Sequence, residues 1–174
     1  MSLPADVELR EPAEDDVHGI AALVGACDAT YCAWAPPGWE PPPPGRELDR
    51  WRGRVTDGSW WTRVAIESMG RVVGLVCFTQ AVVAAPPSVE PIKGRAHVSA
   101  MFTHPDRWRE GIAAAMLAHA EDAMRAAGYV GAQLWTPEEA PARRFYESQG
   151  WVHDGRRQWL EDLSLPIVAY VKAL

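Results

Sequence analysis

The sequence predicts a mixed α/β fold, a twisted and mostly antiparallel sheet of about seven strands with helices flanking it. Three observations predict it. Apolar residues follow a helical spacing in the first third of the chain and alternate with period two after Trp61. A strand, the clearest helical pattern in the chain and a second strand follow one another through residues 96–135, the pattern of a parallel crossover. Other strands are separated only by turn residues, which calls for antiparallel hairpins.

Taken in order, Val7 to Arg10 alternates as a short edge strand, and Glu11-Pro12 breaks it. An amphipathic helix follows, with Ile20, Leu23, Val24 and Cys27 on one face. Ala35 to Gly45 holds six prolines and reads as a stiff connection. A second short helix is expected over Glu47 to Val55. Trp61–Glu67 and Val72–Val83 are strands joined by a turn at Ser68 to Arg71. Ala84 to Gly94, with three prolines and no periodicity, reads as a loop, and Ala96–Thr103 as the next strand. Arg109 to Ala127 is the long helix, with Ile112, Met116, Ala120, Ala123 and Ala127 on its buried stripe and Gly128 as its stop. Val130–Trp135 is a strand, Pro141 to Gln149 a helix ended by Gly150, and Trp151–Asp154 and Pro166–Lys172 are the last strands.

At 174 residues, 48% hydrophobic and 23% charged, the chain suits one domain with a full core. Its net charge of −6 argues against nucleic acid as a partner. No apolar run approaches the roughly 20 residues a membrane span needs, and the acidic N-terminus lacks a signal-peptide profile. A cytoplasmic protein with no membrane partner is expected. Cys27, Cys32 and Cys77 form no CxxC pair, and the five histidines have no ligand spacing, so no metal is expected.

The central crossover carries the chemistry. Strand Ala96–Thr103 runs through His104-Pro105-Asp106-Arg107-Trp108-Arg109-Glu110-Gly111-Ile112-Ala113 into the long helix. Unpaired amides at a helix N-terminus, at the positive end of its dipole, suit a phosphate or pyrophosphate. Gly111 permits close backbone approach, and small Ala113 keeps the first turn open. The segment is neither a GxGxxG nor a Walker loop, so nucleotide hydrolysis gains no support.

About 30 residues further on, strand Val130–Trp135 leads into a polar loop at Thr136 to Ala140 and then Ala142-Arg143-Arg144-Phe145-Tyr146-Glu147-Ser148-Gln149-Gly150-Trp151. This resembles the second signature of the GNAT N-acetyltransferases, A-x-x-F-Y-x-x-x-G-aromatic. The Arg107–Ala113 segment likewise resembles that family's acetyl-CoA loop, Q/R-x-x-G-x-G/A, and the order of elements matches over almost the whole chain. The resemblance implies acetyl-CoA as acyl donor and a fourth and fifth strand splayed apart to admit its pantetheine arm. It implies that backbone groups of Met101, Phe102 and Thr103 pair with that arm. The amides of Arg107, Trp108, Arg109, Glu110, Gly111, Ile112 and Ala113 would hold the pyrophosphate, with Arg107 or Arg109 adding charge. Ala142, Phe145 and Glu139 would line the cofactor from the other side. In two places the chain departs from the family pattern: the Gln/Arg position is Trp108, and the usual asparagine is Glu139.

The resemblance also names an acid and a base. Tyr146 would point at the sulfur of coenzyme A while Phe145 turns into the core. The family's glutamate on the fourth strand falls at His97, whose imidazole suits proton acceptance near neutral pH; Glu67 on the second strand is an alternative. The acceptor would lie against the N-terminal part, about residues 1–60, with the acetyl-CoA core in about 61–174. Five tryptophans (Trp34, Trp39, Trp51, Trp60 and Trp61) and nearby acidic residues suggest a wall for an apolar or cationic amine. A small-molecule amine is the expected acceptor. A protein N-terminus or lysine, a CoA-sensing domain without turnover, and a homodimer built through the last strands or a helix face all stay open.

Overall fold

The structure, a computed structural model, describes residues 2–85 and 88–174. The elements are β1 (Val7–Arg10), α1 (Val17–Ala29), α2 (Pro44–Thr56), β2 (Trp61–Glu67), β3 (Val72–Ala85), β4 (Ser88–Thr103), α3 (Ile112–Ala126), β5 (Gly131–Pro137), α4 (Ala142–Ser148), β6 (Val152–Leu160) and β7 (Leu165–Ala173). Their order is the one the periodicities predict. The strands form one sheet in the order β1-β2-β3-β4-β5-β7-β6. Every neighbouring pair is antiparallel except β4 and β5, which α3 connects as a parallel crossover.

Strand alternation gives the sheet two apolar faces, and each is covered by helices. On one face Val76, Phe78, Val98 and Leu134 pack with Met116, Leu117, Ala120 and Met124 of α3 and with Tyr146 of α4. On the other, Val64, Leu75, Cys77 and Ala100 pack with Ile20, Leu23, Val24 and Cys27 of α1 and with Trp51 of α2. The α1 stripe is therefore the one its spacing predicts. Among the described residues no helix is long and apolar enough to cross a membrane, and no group of three or more His, Cys, Asp or Glu is arranged to hold a metal.

Three element boundaries differ from expectation, each for a physical reason. The expected loop over Ala84–Gly94 is instead a hairpin arm, with Val82 opposite Pro91, Val83 opposite Glu90 and Ala85 opposite Ser88; Pro86 and Pro87 lie outside the described residues. Pro91 is tolerated because β4 has no β5 partner before Arg95, so the missing N–H leaves no ladder bond broken. Helix α2 begins at Pro44 rather than Glu47, since a proline at the first helical position has its φ already set. Strand β6 runs on to Leu160 rather than ending at Asp154. It is an edge strand exposed along nearly its whole length, so no apolar alternation marks it in the sequence. The remaining ends coincide with expectation, as for β1 and β2, or differ by one to three residues.

Candidate active site

The ladder between β4 and β5 is short. It runs from Arg95 opposite Gly131 to Val98 opposite Leu134 and then stops. Both strands continue beyond it, β4 held by β3 as far as Thr103 opposite Gly74, and β5 held by β7 as far as Pro137 opposite Ile167. A bulge helps to part them, because Ala100 and Val98 face the adjacent residues Cys77 and Phe78, leaving Ser99 extra. The result is a wedge with an open strand edge on β4.

Which backbone groups face the wedge follows from alternation. The His104 amide donates to the Val73 carbonyl at 2.9 Å, so residues in step with His104 point toward β3. Phe102 is in step with it, and its backbone therefore turns away from the wedge, contrary to expectation. Thr103 and Met101 turn toward it. The Thr103 carbonyl already accepts from Trp108 Nε1 at 2.7 Å and from Cys27 Sγ at 3.3 Å. Thr103 Oγ1 and His97 Nδ1, also on β4, are buried without a hydrogen-bond partner. Buried polar atoms are nearly always paired, and Thr103 Oγ1 lies on the stretch of β4 beyond the ladder, where a strand built to receive a ligand would present an orphan, while His97 lies within the ladder.

After Thr103 the chain makes a short 3₁₀ turn over Pro105–Arg107, capped by the Asp106 amide donating to His104 Nδ1 at 3.3 Å. The Arg107 amide donates to the His104 carbonyl at 2.9 Å and the Trp108 amide to the Pro105 carbonyl at 3.2 Å, which removes both from the expected phosphate set. Arg109 and Gly111 then adopt left-handed conformations, φ 70° and 84°. For that reason α3 starts at Ile112 and not Arg109. Among the described residues the amides of Arg109, Glu110 and Gly111 have no backbone acceptor, and the first bond into α3 is Ala115 N–H to the Gly111 carbonyl at 3.0 Å. The amides of Ile112, Ala113 and Ala114 precede it. A run of amides from Arg109 to Ala114 at a helix N-terminus fits a pyrophosphate.

The side chains of this loop serve other ends. Ile112 is buried in the α3 face of the core. Arg107 offers no charge to a phosphate: its guanidinium pairs with Glu67 at 2.9 Å, Glu110 at 2.8 Å and Asp6 at 3.1 Å. Glu67 is held by Arg71 as well, at 2.8 Å, and that pairing first of all, then Arg107, keeps its carboxyl below the usual range. A carboxylate so occupied is not poised as a base. Arg109 is exposed at the loop surface.

Across the wedge, α4 carries the Phe-Tyr pair with burial reversed from expectation. Tyr146 is the buried ring, 6.3 Å from both Trp151 and Tyr170, while Phe145 is half-buried. Ala142 is half-buried at the start of α4, and Glu139 is exposed in the preceding turn. Burial pushes the Tyr146 phenol well above its ordinary value. On the opposite face the Tyr31 phenol is also pushed up, by burial first and then by Asp28, Cys27 and Tyr146.

Tyr31 and Asp28 are candidate residues on the opposite face that the sequence does not single out. Asp28 is only 6% exposed, a carboxylate four residues after Val24 on the apolar stripe of α1. That mismatch is the signal that could have found it. Tyr31 gathers Trp34 at 4.6 Å and Trp39 at 5.7 Å between ring centroids. The other tryptophans do not join this wall. Trp51 is core, Trp60 lies under the Arg54 guanidinium, and Trp61 stacks on Phe78 on the α3 face.

His97 is half-buried in mid-strand, one residue before the ladder stops, between Thr79 of β3 and Gln133 of β5. Burial lowers its pKa below the ordinary 6.5, the Gln133 backbone opposes that, and the Arg54 charge adds to it. The imidazole is therefore neutral near pH 7.

A seven-stranded sheet parted between a parallel central pair, opening onto a helix N-terminus, is the architecture of an acyl-CoA acyltransferase. The sequence model of the Acetyltransferase (GNAT) family matches residues 26–151, and the chain belongs to that family. No curated protein sequence matches it significantly. Among solved structures it is similar to the PaiA N-acetyltransferase of Thermoplasma acidophilum in complex with coenzyme A, with TM-score 0.66, 14% identity and full coverage of both chains. It is similar to a phosphinothricin N-acetyltransferase assigned provisionally, with TM-score 0.71, 16% identity and coverage of 97% and 98%. The ribosomal-protein-S18-alanine N-acetyltransferase of Escherichia coli is a third, with TM-score 0.65, 13% identity and coverage of 96% and 93%. At such identities these likenesses speak for the fold.

Proposed function

We propose that the protein transfers acetyl directly from acetyl-CoA to the amine of a small molecule. The observation that carries this is the open β4 edge leading straight into the free amides of Arg109–Ala114. When bound, acetyl-CoA supplies the activated thioester. The Met101 backbone groups and the Thr103 amide align its arm, and the loop amides take its pyrophosphate. Neutral His97 accepts the proton that the amine loses, directly or through water. Tyr146 has a raised pKa and so keeps its proton. It acts on the sulfur as a hydrogen-bond donor that stabilises the departing thiolate, rather than as a full acid.

The acceptor side is read from Tyr31, Trp34 and Trp39 beside Asp28, a set of aromatic faces and a carboxylate suited to an ammonium. Trp39 Nε1 donates to the Leu163 carbonyl at 2.6 Å, strapping the connection before α2 to the β6–β7 turn. That strap supports a closed, small-molecule site over an open peptide groove. The test follows thiol release from acetyl-CoA against polyamines, amino acids, aminoglycosides, arylamines and short peptides. Turnover with a small amine is expected, and the Tyr146→Phe variant should lose about 10–100-fold in kcat with its fold retained. Turnover with peptides alone, or none with any amine, would overturn the proposal.

A further inference from the structure

We infer that Glu67 and Arg107 form a clasp that presets the cofactor loop, so that Glu67 is a positioning residue for the amides of Arg109–Ala114. The inference rests on the acetyl-CoA reading of that loop.

The Arg107 side chain is 13% exposed and bonded to three carboxylates from three parts of the chain. Glu67 ends β2, Asp6 precedes β1, and Glu110 belongs to the loop itself. Glu67 also holds Arg71 of the β2–β3 turn, and Arg71 reaches Asp106 at 3.5 Å. The loop is thus tied at Asp106 and Arg107 to the chain at the start of β1 and the end of β2, and Glu110 is tied in turn to Arg107. A lone surface pair does little for stability, but a covered guanidinium with a full set of acceptors has one geometry available to it.

The Arg107–Glu110 bond closes across Arg109, the residue with φ 70°. A side-chain-bearing residue avoids that conformation unless its surroundings impose it. Here the bond spans Trp108 and Arg109 between its two ends, and Glu67 pins Arg107 to the end of β2. The left-handed turn is what aims the following amides out of the helix end. Glu67 therefore acts on cofactor affinity from outside the site, and has no part in proton transfer.

The test uses the full chain, with calorimetric binding of acetyl-CoA and steady-state kinetics. Glu67→Gln should weaken acetyl-CoA binding and raise its KM by about tenfold, leaving kcat and the amine KM unchanged. Arg107→Lys, which keeps the charge but cannot span three carboxylates, should show the same split. Glycine adopts φ above zero without help, so the Glu67→Gln penalty should shrink when placed on an Arg109→Gly background. Unchanged acetyl-CoA affinity in both single variants would overturn the inference, as would a loss confined to kcat or a penalty undiminished by Arg109→Gly. Failure of the wild-type chain to bind acetyl-CoA is a separate result, and it would remove the cofactor reading itself.

Discussion

His97 sits between Thr79 and Gln133, and its surroundings favour the neutral imidazole. As pH falls through the lowered folded-state pKa, the imidazolium forms and the base is lost. The acid limb of kcat/KM should therefore lie below pH 6.5, the ordinary value from which His97 is depressed. His97→Ala should cut turnover by about a hundredfold and flatten that limb, and an unchanged profile would remove the base role. The unfolded chain binds the proton more tightly, so the same group makes folding stability fall as pH drops below the unfolded value. Residue types were partly legible here. His97, Tyr146 and Gly111 stand out by motif, whereas two of the three partners of Arg107, Glu67 and Asp6, are 40 and 101 residues away and leave no local trace.

At the scale of elements, the turn into α3 matters most. Gly111 has φ 84°, which an alanine could adopt only at a cost of about 1–2 kcal/mol. Gly111→Ala should lower the unfolding free energy by that amount in denaturant titration and raise the acetyl-CoA KM, with less effect on the amine KM. The helices and inner strands were legible because each has a buried stripe or alternating face. The β3–β4 arm and the part of β6 beyond Asp154 were hidden because they lie outside the layers. Their residues answer to backbone pairing alone, so proline and polar residues enter them without penalty.

On the scale of the molecule, Glu121 joins elements distant in sequence. Its carboxylate, buried on α3, accepts from Lys172 Nζ of β7 at 2.7 Å and from Trp151 Nε1 at 3.0 Å, holding the chain after α4 against the sheet. Glu121→Ala would leave Lys172 and the Trp151 indole without that acceptor, and should destabilise by about 3–5 kcal/mol in denaturant unfolding. Element order, the two apolar faces and the amide-rich loop were readable from local patterning, because periodicity and turn chemistry act over a few residues. The wedge was not, because it depends on where the β4–β5 ladder stops. Nor were the rotation of Phe102 away from the wedge and the diversion of Arg107 from phosphate to carboxylate. Each depends on register, on a single extra residue at Ser99, or on charges that only the folded sheet brings within bonding distance.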